Sequence, residues 1–213
     1  MTIPAFARAE AARLLAAALF SIALATSAHA VPATPATGPA TAESAALPGN
    51  SVYQLPVALT DQAGRSFRLE ERRGRPLLVS MFYTSCQFVC PMLIDSIRDA
   101  EKQLAPAERE QLGVLLVTFD PEHDTVAVLK RTADERGLDP VRWSLARTDP
   151  ATVRKLASVL GIQYRALPNG DFNHTTAILL LDAQGRIVAK SSQLGRAEPA
   201  FVNRIRAVAR STP

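Results

Sequence analysis

The sequence predicts an α/β fold, a three-layer sandwich on a mixed β-sheet with a hairpin at its N-terminal edge. Three observations point there. From about residue 51 onward, short apolar runs alternate with segments of helical period. Two of the runs, PLLVSMFY at 76–83 and VLLVTF at 114–119, are apolar almost without interruption, as strands covered on both faces are. Two turn clusters, Asp61-Gln62-Ala63-Gly64 and Asp182-Ala183-Gln184-Gly185, sit between strand-like runs and mark hairpins.

The elements follow in order. Tyr53 to Leu59 and Ser66 to Leu69 form the first hairpin. Pro76 to Tyr83 is a buried strand leading directly into two cysteines. Pro91 to Leu104 is helical, with Leu93, Ile97, Ala100 and Leu104 on one face. Val114 to Phe119 is a second buried strand. Asp124 is the expected N-cap of a helix from Thr125 to Arg136, which Gly137 and Pro140 end. Val141 to Ala146 is a short strand. Asp149-Pro150 supplies an N-cap and a first-turn proline for a helix to Leu160. His174 to Leu181 and Arg186 to Ser191 make the last hairpin, and Glu198 to Arg210 is a closing amphipathic helix.

The ends of the chain differ in character. Arg8 and Arg13 precede an apolar stretch, Leu14 to Ala25, and Ala28-His29-Ala30 has the small-x-small form of a signal-peptidase site. The stretch is about a dozen residues, short of the roughly 20 that span a bilayer. Residues 1–30 therefore read as a signal peptide, with an uncleaved anchor as the alternative. Residues 31–50, rich in Pro, Ala and Thr, read as a linker, and residues 51–213 as one domain. Export to a periplasm is the expectation. The chain is 47% hydrophobic and 21% charged, ordinary values for a soluble globular protein. Its net charge of +4 comes from scattered residues with no basic stripe, so nucleic-acid binding has little support.

Cys86 and Cys90, in FYTSCQFVCPM, are the only cysteines. They stand at a strand's C-terminal end and a helix N-terminus, where the helix dipole favours thiolate. Thiolate is both the nucleophile of disulfide exchange and the ligand for soft metals, so a redox pair and a metal-gripping pair stay open beside a structural disulfide. A metal would need a third ligand. Without His29 in the signal, His123 and His174 remain; His174, at the start of the last hairpin, is the candidate, and His123 reads as an exposed turn residue. Two thiolates and an imidazole suit Cu(I), and can hold Cu(II), better than structural zinc. Met81 and Met92 fit core packing. Asp120, at a strand end, is a turn residue that could also tune the site.

Three blocks in order carry a resemblance. FYTSCQFVCP at 82–91, TFDPEHDT at 118–125 and FNHTTAI at 172–178 are similar to the signature of the Sco/SenC family of copper-handling proteins. The resemblance spans roughly Ser51 to Arg210. It implies a thioredoxin-like fold and copper binding by Cys86, Cys90 and His174, with Asp120 near the site. It further implies support for assembly of the binuclear copper centre of cytochrome c oxidase, by passing copper to subunit II or another copper-accepting protein. An upstream periplasmic donor would supply the metal. The chain departs from the family's common pattern at His123, where arginine is usual, and at Asn173, where an acidic residue is usual. Catalysis is a second reading, with Cys86 and Cys90 as the redox-active pair of a thiol-disulfide reductase. A copper or redox sensor fits the same residues. Membrane association is expected only through an uncleaved N-terminal segment.

Overall fold

A computed structural model of the chain describes residues 46–211. The signal peptide and most of the linker read from the sequence lie outside the described residues. The strands are β1 (Ala58–Asp61), β2 (Ser66–Arg68), β3 (Leu77–Phe82), β4 (Gly113–Thr118), β5 (Trp143–Arg147), β6 (Tyr164–Ala166), β7 (Phe172–His174), β8 (Ile178–Leu181) and β9 (Ile187–Ser191). The helices are α1 (Val89–Lys102), α2 (Pro106–Gln111), α3 (Val126–Glu135), α4 (Pro150–Val159) and α5 (Pro199–Arg210).

Seven strands form one mixed sheet in the order β2-β1-β5-β4-β3-β8-β9. β3, β4 and β5 run parallel, and β8 pairs antiparallel with β3. Every residue of β3 and β4 is buried, so both faces of the sheet are covered and the fold has three layers. On one face α1 is tied to its neighbours: Arg98 donates to the Gly137 carbonyl just beyond α3, and the Ala197 N–H before α5 donates to Asp99. Among the described residues no helix is long and apolar enough to cross a membrane.

Both expected turn clusters close hairpins, by one device. Asp61 Oδ1 accepts from the N–H groups of Ala63 and Arg65, and Asp182 Oδ1 accepts from those of Gln184 and Arg186. Gly185 must be glycine: its φ is 81°, and a Cβ there would stand 2.4 Å from the Tyr53 ring. Tyr53 itself lies in a single 3-10 turn, Val52–Gln54, so the first strand starts at Ala58 and not at Tyr53.

Two expectations are corrected here. Asp124 does not cap α3; Thr125 does, its hydroxyl accepting from the Val128 N–H. His174 does not open the strand before the last turn. It ends β7, which pairs with β6 in a separate two-stranded hairpin with Tyr164 opposite His174. The turn is Pro168-Asn169-Gly170-Asp171, with Gly170 at φ 85° and the Leu167 N–H donating to the Asp171 carbonyl. A short chain segment, 175–177, then leads into β8.

Register brings the loops of interest to one end of the sheet. Phe82 and Thr118 are paired at the C-terminal ends of β3 and β4. β8 runs the opposite way, so its N-terminal end lies at that same end, where the Ser80 hydroxyl donates to the Ala177 carbonyl at 2.6 Å. The cysteine loop, the Asp-Pro loop and the segment following His174 thus meet where open α/β sheets place chemistry.

Candidate metal centre

The cysteine loop leaves β3 at Tyr83. Cys86 lies in the loop, half-buried, and Cys90 lies in the first turn of α1, buried. Both thiols are free, and the Cys90 N–H donates to Cys86 Sγ at 3.4 Å. The two sulfurs therefore have different surroundings. Partial burial pushes the Cys86 thiol up, but the N–H groups of Cys90, Phe88 and Val89 and the Cys90 thiol outweigh it and hold Cys86 below the ordinary thiol range. Burial drives the Cys90 thiol far up; the Tyr83 backbone opposes this, while the negative charges of Cys86 and Asp124 add to it. Cys86 is the more acidic thiol of the pair, and Cys90 the less acidic.

His174 reaches this loop through aromatic packing. Its ring meets the Tyr83 ring edge-on, centroids 6.0 Å apart at 87°, and lies 5.0 Å from the Phe119 ring. Phe172, two residues earlier on β7, packs edge-on against Tyr83 at 5.1 Å, and Tyr164 on β6 stacks on Phe119 at 4.8 Å. The β6–β7 hairpin is thus held against the ends of β3 and β4 by a cluster of five rings. Burial raises the Tyr83 hydroxyl to about 12, and its hydrogen bonding with Cys86 works in the same direction, so Tyr83 touches both the cysteine and the histidine sides. His174 Nδ1 lies 3.4 Å from the Thr175 carbonyl. A proton on Nδ1 pointed there leaves the lone pair on Nε2, one of the two ring nitrogens through which an imidazole can bind a metal.

The donor set fits a soft metal: two cysteine sulfurs, which bind a cation as thiolates, and one imidazole. The convergence is incomplete, however. Among the described residues no group of three His, Cys, Asp or Glu side chains stands close enough to hold a metal ion. The cysteines touch each other, and His174 joins them through Tyr83.

Asp120 is buried at the end of β4, and its carboxylate bonds to His123 Nδ1 at 2.8–2.9 Å. His123 is exposed, as expected of a turn residue, and the hydrogen bond and charge of Asp120 raise its pKa. Met81 is in the core, whereas Met92 is 44% exposed, contrary to expectation; with Phe88, 77% exposed, it leaves an apolar rim beside the cysteines. From the sequence Tyr83 is only the end of a buried strand and Asp124 only a helix N-cap, and neither is expected at the site. The signal for Asp124 was its neighbour: Thr125 is also a capping residue, which frees the aspartate for another use.

The sequence profile of the SCO1/SenC family matches residues 46–210. A candidate copper-binding protein of Stutzerimonas stutzeri is 36% identical over 72 residues, 34% of this chain and 35% of the relative. The chain therefore spans about a third of that curated relative's length. Two solved structures share the fold. Bradyrhizobium japonicum ScoI with copper bound superposes with a TM-score of 0.57 at 24% identity, covering 74% of this chain and 98% of the other. BsSco, described as a member of the Sco family of cytochrome c oxidase assembly proteins, superposes with a TM-score of 0.62 at 20% identity, covering 73% and 96%.

Proposed function

The chain belongs to the SCO1/SenC family, and on that premise we propose that it is a periplasmic copper metallochaperone. It binds one copper ion through the thiolates of Cys86 and Cys90 and the imidazole of His174. It delivers that ion for assembly of the binuclear copper centre of cytochrome c oxidase, to subunit II or another copper-accepting protein. The observation that carries this reading is the packing of Tyr83 against His174, 6.0 Å between centroids, three residues before Cys86. It keeps the only histidine of the 172–178 block beside the only two thiols, so a small approach of hairpin and loop completes the ligand set. The name of the Stutzerimonas relative supports copper as the metal, and the family's description as oxidase assembly proteins supports the recipient. Three protein ligands leave a coordination position at which a recipient's thiol or imidazole can attack, and the exposed Phe88 and Met92 flank the thiols on the side a recipient would approach.

The unequal thiols support a second reading. Cys86 can attack a recipient's disulfide, expelling one recipient sulfur as thiol and forming a mixed disulfide. The Cys90 sulfur, losing its proton, then attacks Cys86 and releases the second recipient thiol. The recipient gains two electrons, and Cys86 and Cys90 end as a disulfide.

An anaerobic copper titration of the reduced protein separates the readings. His174→Ala is expected to weaken copper binding by at least about tenfold, the lower end of what loss of even an outer partner costs a metal site, and to leave dithiol oxidation intact. Equal affinity with and without His174 would sink the ligand assignment.

A further inference from the structure

Asp124 is 2% exposed, and none of its carboxylate hydrogen bonds goes to the helix that follows it, since Thr125 supplies that cap. They run instead to two other segments. The Thr84 N–H donates to Oδ2 at 3.1 Å and to Oδ1 at 3.4 Å, and the Thr84 hydroxyl donates to Oδ1. The Thr118 hydroxyl, at the last residue of β4, donates to Oδ2, and in turn accepts from the Asp120 N–H at 2.9 Å. Asp124 N–H closes the circuit by donating to the Asp120 carbonyl at 2.9 Å. Burying a carboxylate is costly unless several donors compensate it. Here the donors come from the cysteine loop and from the last residue of β4, two segments that meet at the site. Thr84 is two residues before Cys86 and 40 positions from Asp124, so the anchor joins segments that have no local reason to be near one another.

We propose that Asp124 is the positioning residue of the cysteine loop: through Thr84 it fixes Cys86 Sγ over the first N–H groups of α1. The inference rests on the reading of Cys86 and Cys90 as the working thiol pair, and deepens it. The Cys90 N–H to Cys86 Sγ contact is long at 3.4 Å, and the Cys86 N–H holds the Tyr83 carbonyl at the same distance. Weak bonds of this kind do not hold a loop by themselves. The carboxylate, with a main-chain and a hydroxyl bond to one residue, does. A cysteine held there has its sulfur placed for attack or for a metal before either arrives.

The test uses metal-free protein equilibrated with glutathione redox buffer, with the Cys86–Cys90 disulfide fraction as readout. In Thr84→Val the hydroxyl anchor is lost while charge and volume are kept. The loosened loop loses the N–H bonds that favour the reduced sulfur, so the equilibrium moves about tenfold toward disulfide, or about 30 mV for a two-electron couple. Thr84→Ser restores the hydroxyl and stays within about twofold of the parent, a rescue that simple destabilisation would not give. Adding Thr84→Val to Asp124→Asn leaves the equilibrium of Asp124→Asn unchanged, because both act through one contact. Parent-like behaviour of Thr84→Val, or full additivity of the pair, would overturn the assignment. Should Asp124→Asn not fold, the Val and Ser variants with amide hydrogen exchange at Thr84 decide alone: faster exchange in Val only supports the anchor, and equal exchange in both refutes it. A copper titration of the parent runs beside these; failure to bind copper refutes the proposed function, while the glutathione equilibrium, read without metal, still judges the anchor.

Discussion

Cys86 and Cys90 are four residues apart, yet their sulfurs occupy opposite environments, and the difference is one of depth. Cys86 sits in a loop with three N–H groups facing it, whereas Cys90 is carried inward by the first turn of α1. The direction of the consequence follows: Cys86 gives up its proton more readily than an ordinary thiol, and Cys90 much less readily. Alkylation with iodoacetamide, followed site by site by mass spectrometry, is therefore expected to label Cys86 first. Its rate should rise through a midpoint lower than that of an ordinary thiol, while Cys90 stays at least about tenfold slower at neutral pH. Equal rates, or Cys90 first, would contradict the asymmetry. The pair itself was legible in the sequence, because two cysteines before a helical proline draw the eye. Their inequality was not, because it depends on burial and on which N–H groups face which sulfur.

The β6–β7 hairpin is the element on which the site turns. It was missed because its strands have only three residues each and only partial burial, too little for a period-2 pattern to stand out. Its turn was readable in retrospect: Asn169-Gly170 between Leu167 and Phe172 is a strong hairpin signal. What holds the hairpin in place is non-local, the packing of Phe172, Tyr164 and His174 on Tyr83 and Phe119. Phe172→Ala removes one of these rings and leaves every proposed ligand in place. Copper affinity is expected to fall by about tenfold, the effect of one lost aromatic contact of about 0.5–1.5 kcal/mol together with its burial. The thermal midpoint should change little, because Phe172 lies outside the fully buried core. An unchanged affinity, measured by competition with a copper chelator, would mean that the hairpin's packing does not set the position of His174.

At the scale of the whole molecule, the sheet was the most legible part. PLLVSMFY and VLLVTF became the two wholly buried central strands β3 and β4, and both Asp-to-Gly clusters closed hairpins. Apolar runs and turn residues report on local conformation and burial, which is why they survive translation into three dimensions. Contacts such as Asp124 to Thr84 are a property of register between distant strands: Thr125 hints that the aspartate is free of the cap, but a single sequence does not say which residue it meets. Asp120 shows the same limit: its place at a strand end was read correctly, while its bond to His123 emerged only from the folded loop. The proposed ligands likewise gather at one end of the sheet because β3 and β4 are parallel and β8 is antiparallel to β3. The topology therefore delivers two thiols and one imidazole to a common edge, and the aromatic cluster holds them one ring short of contact. X-ray absorption at the copper edge of the reduced, copper-loaded protein tests whether that gap closes. The expected spectrum shows one copper bound by two sulfurs and one nitrogen, with the nitrogen lost in His174→Ala. Copper bound without sulfur, or by the two sulfurs with an identical spectrum in His174→Ala, would contradict it.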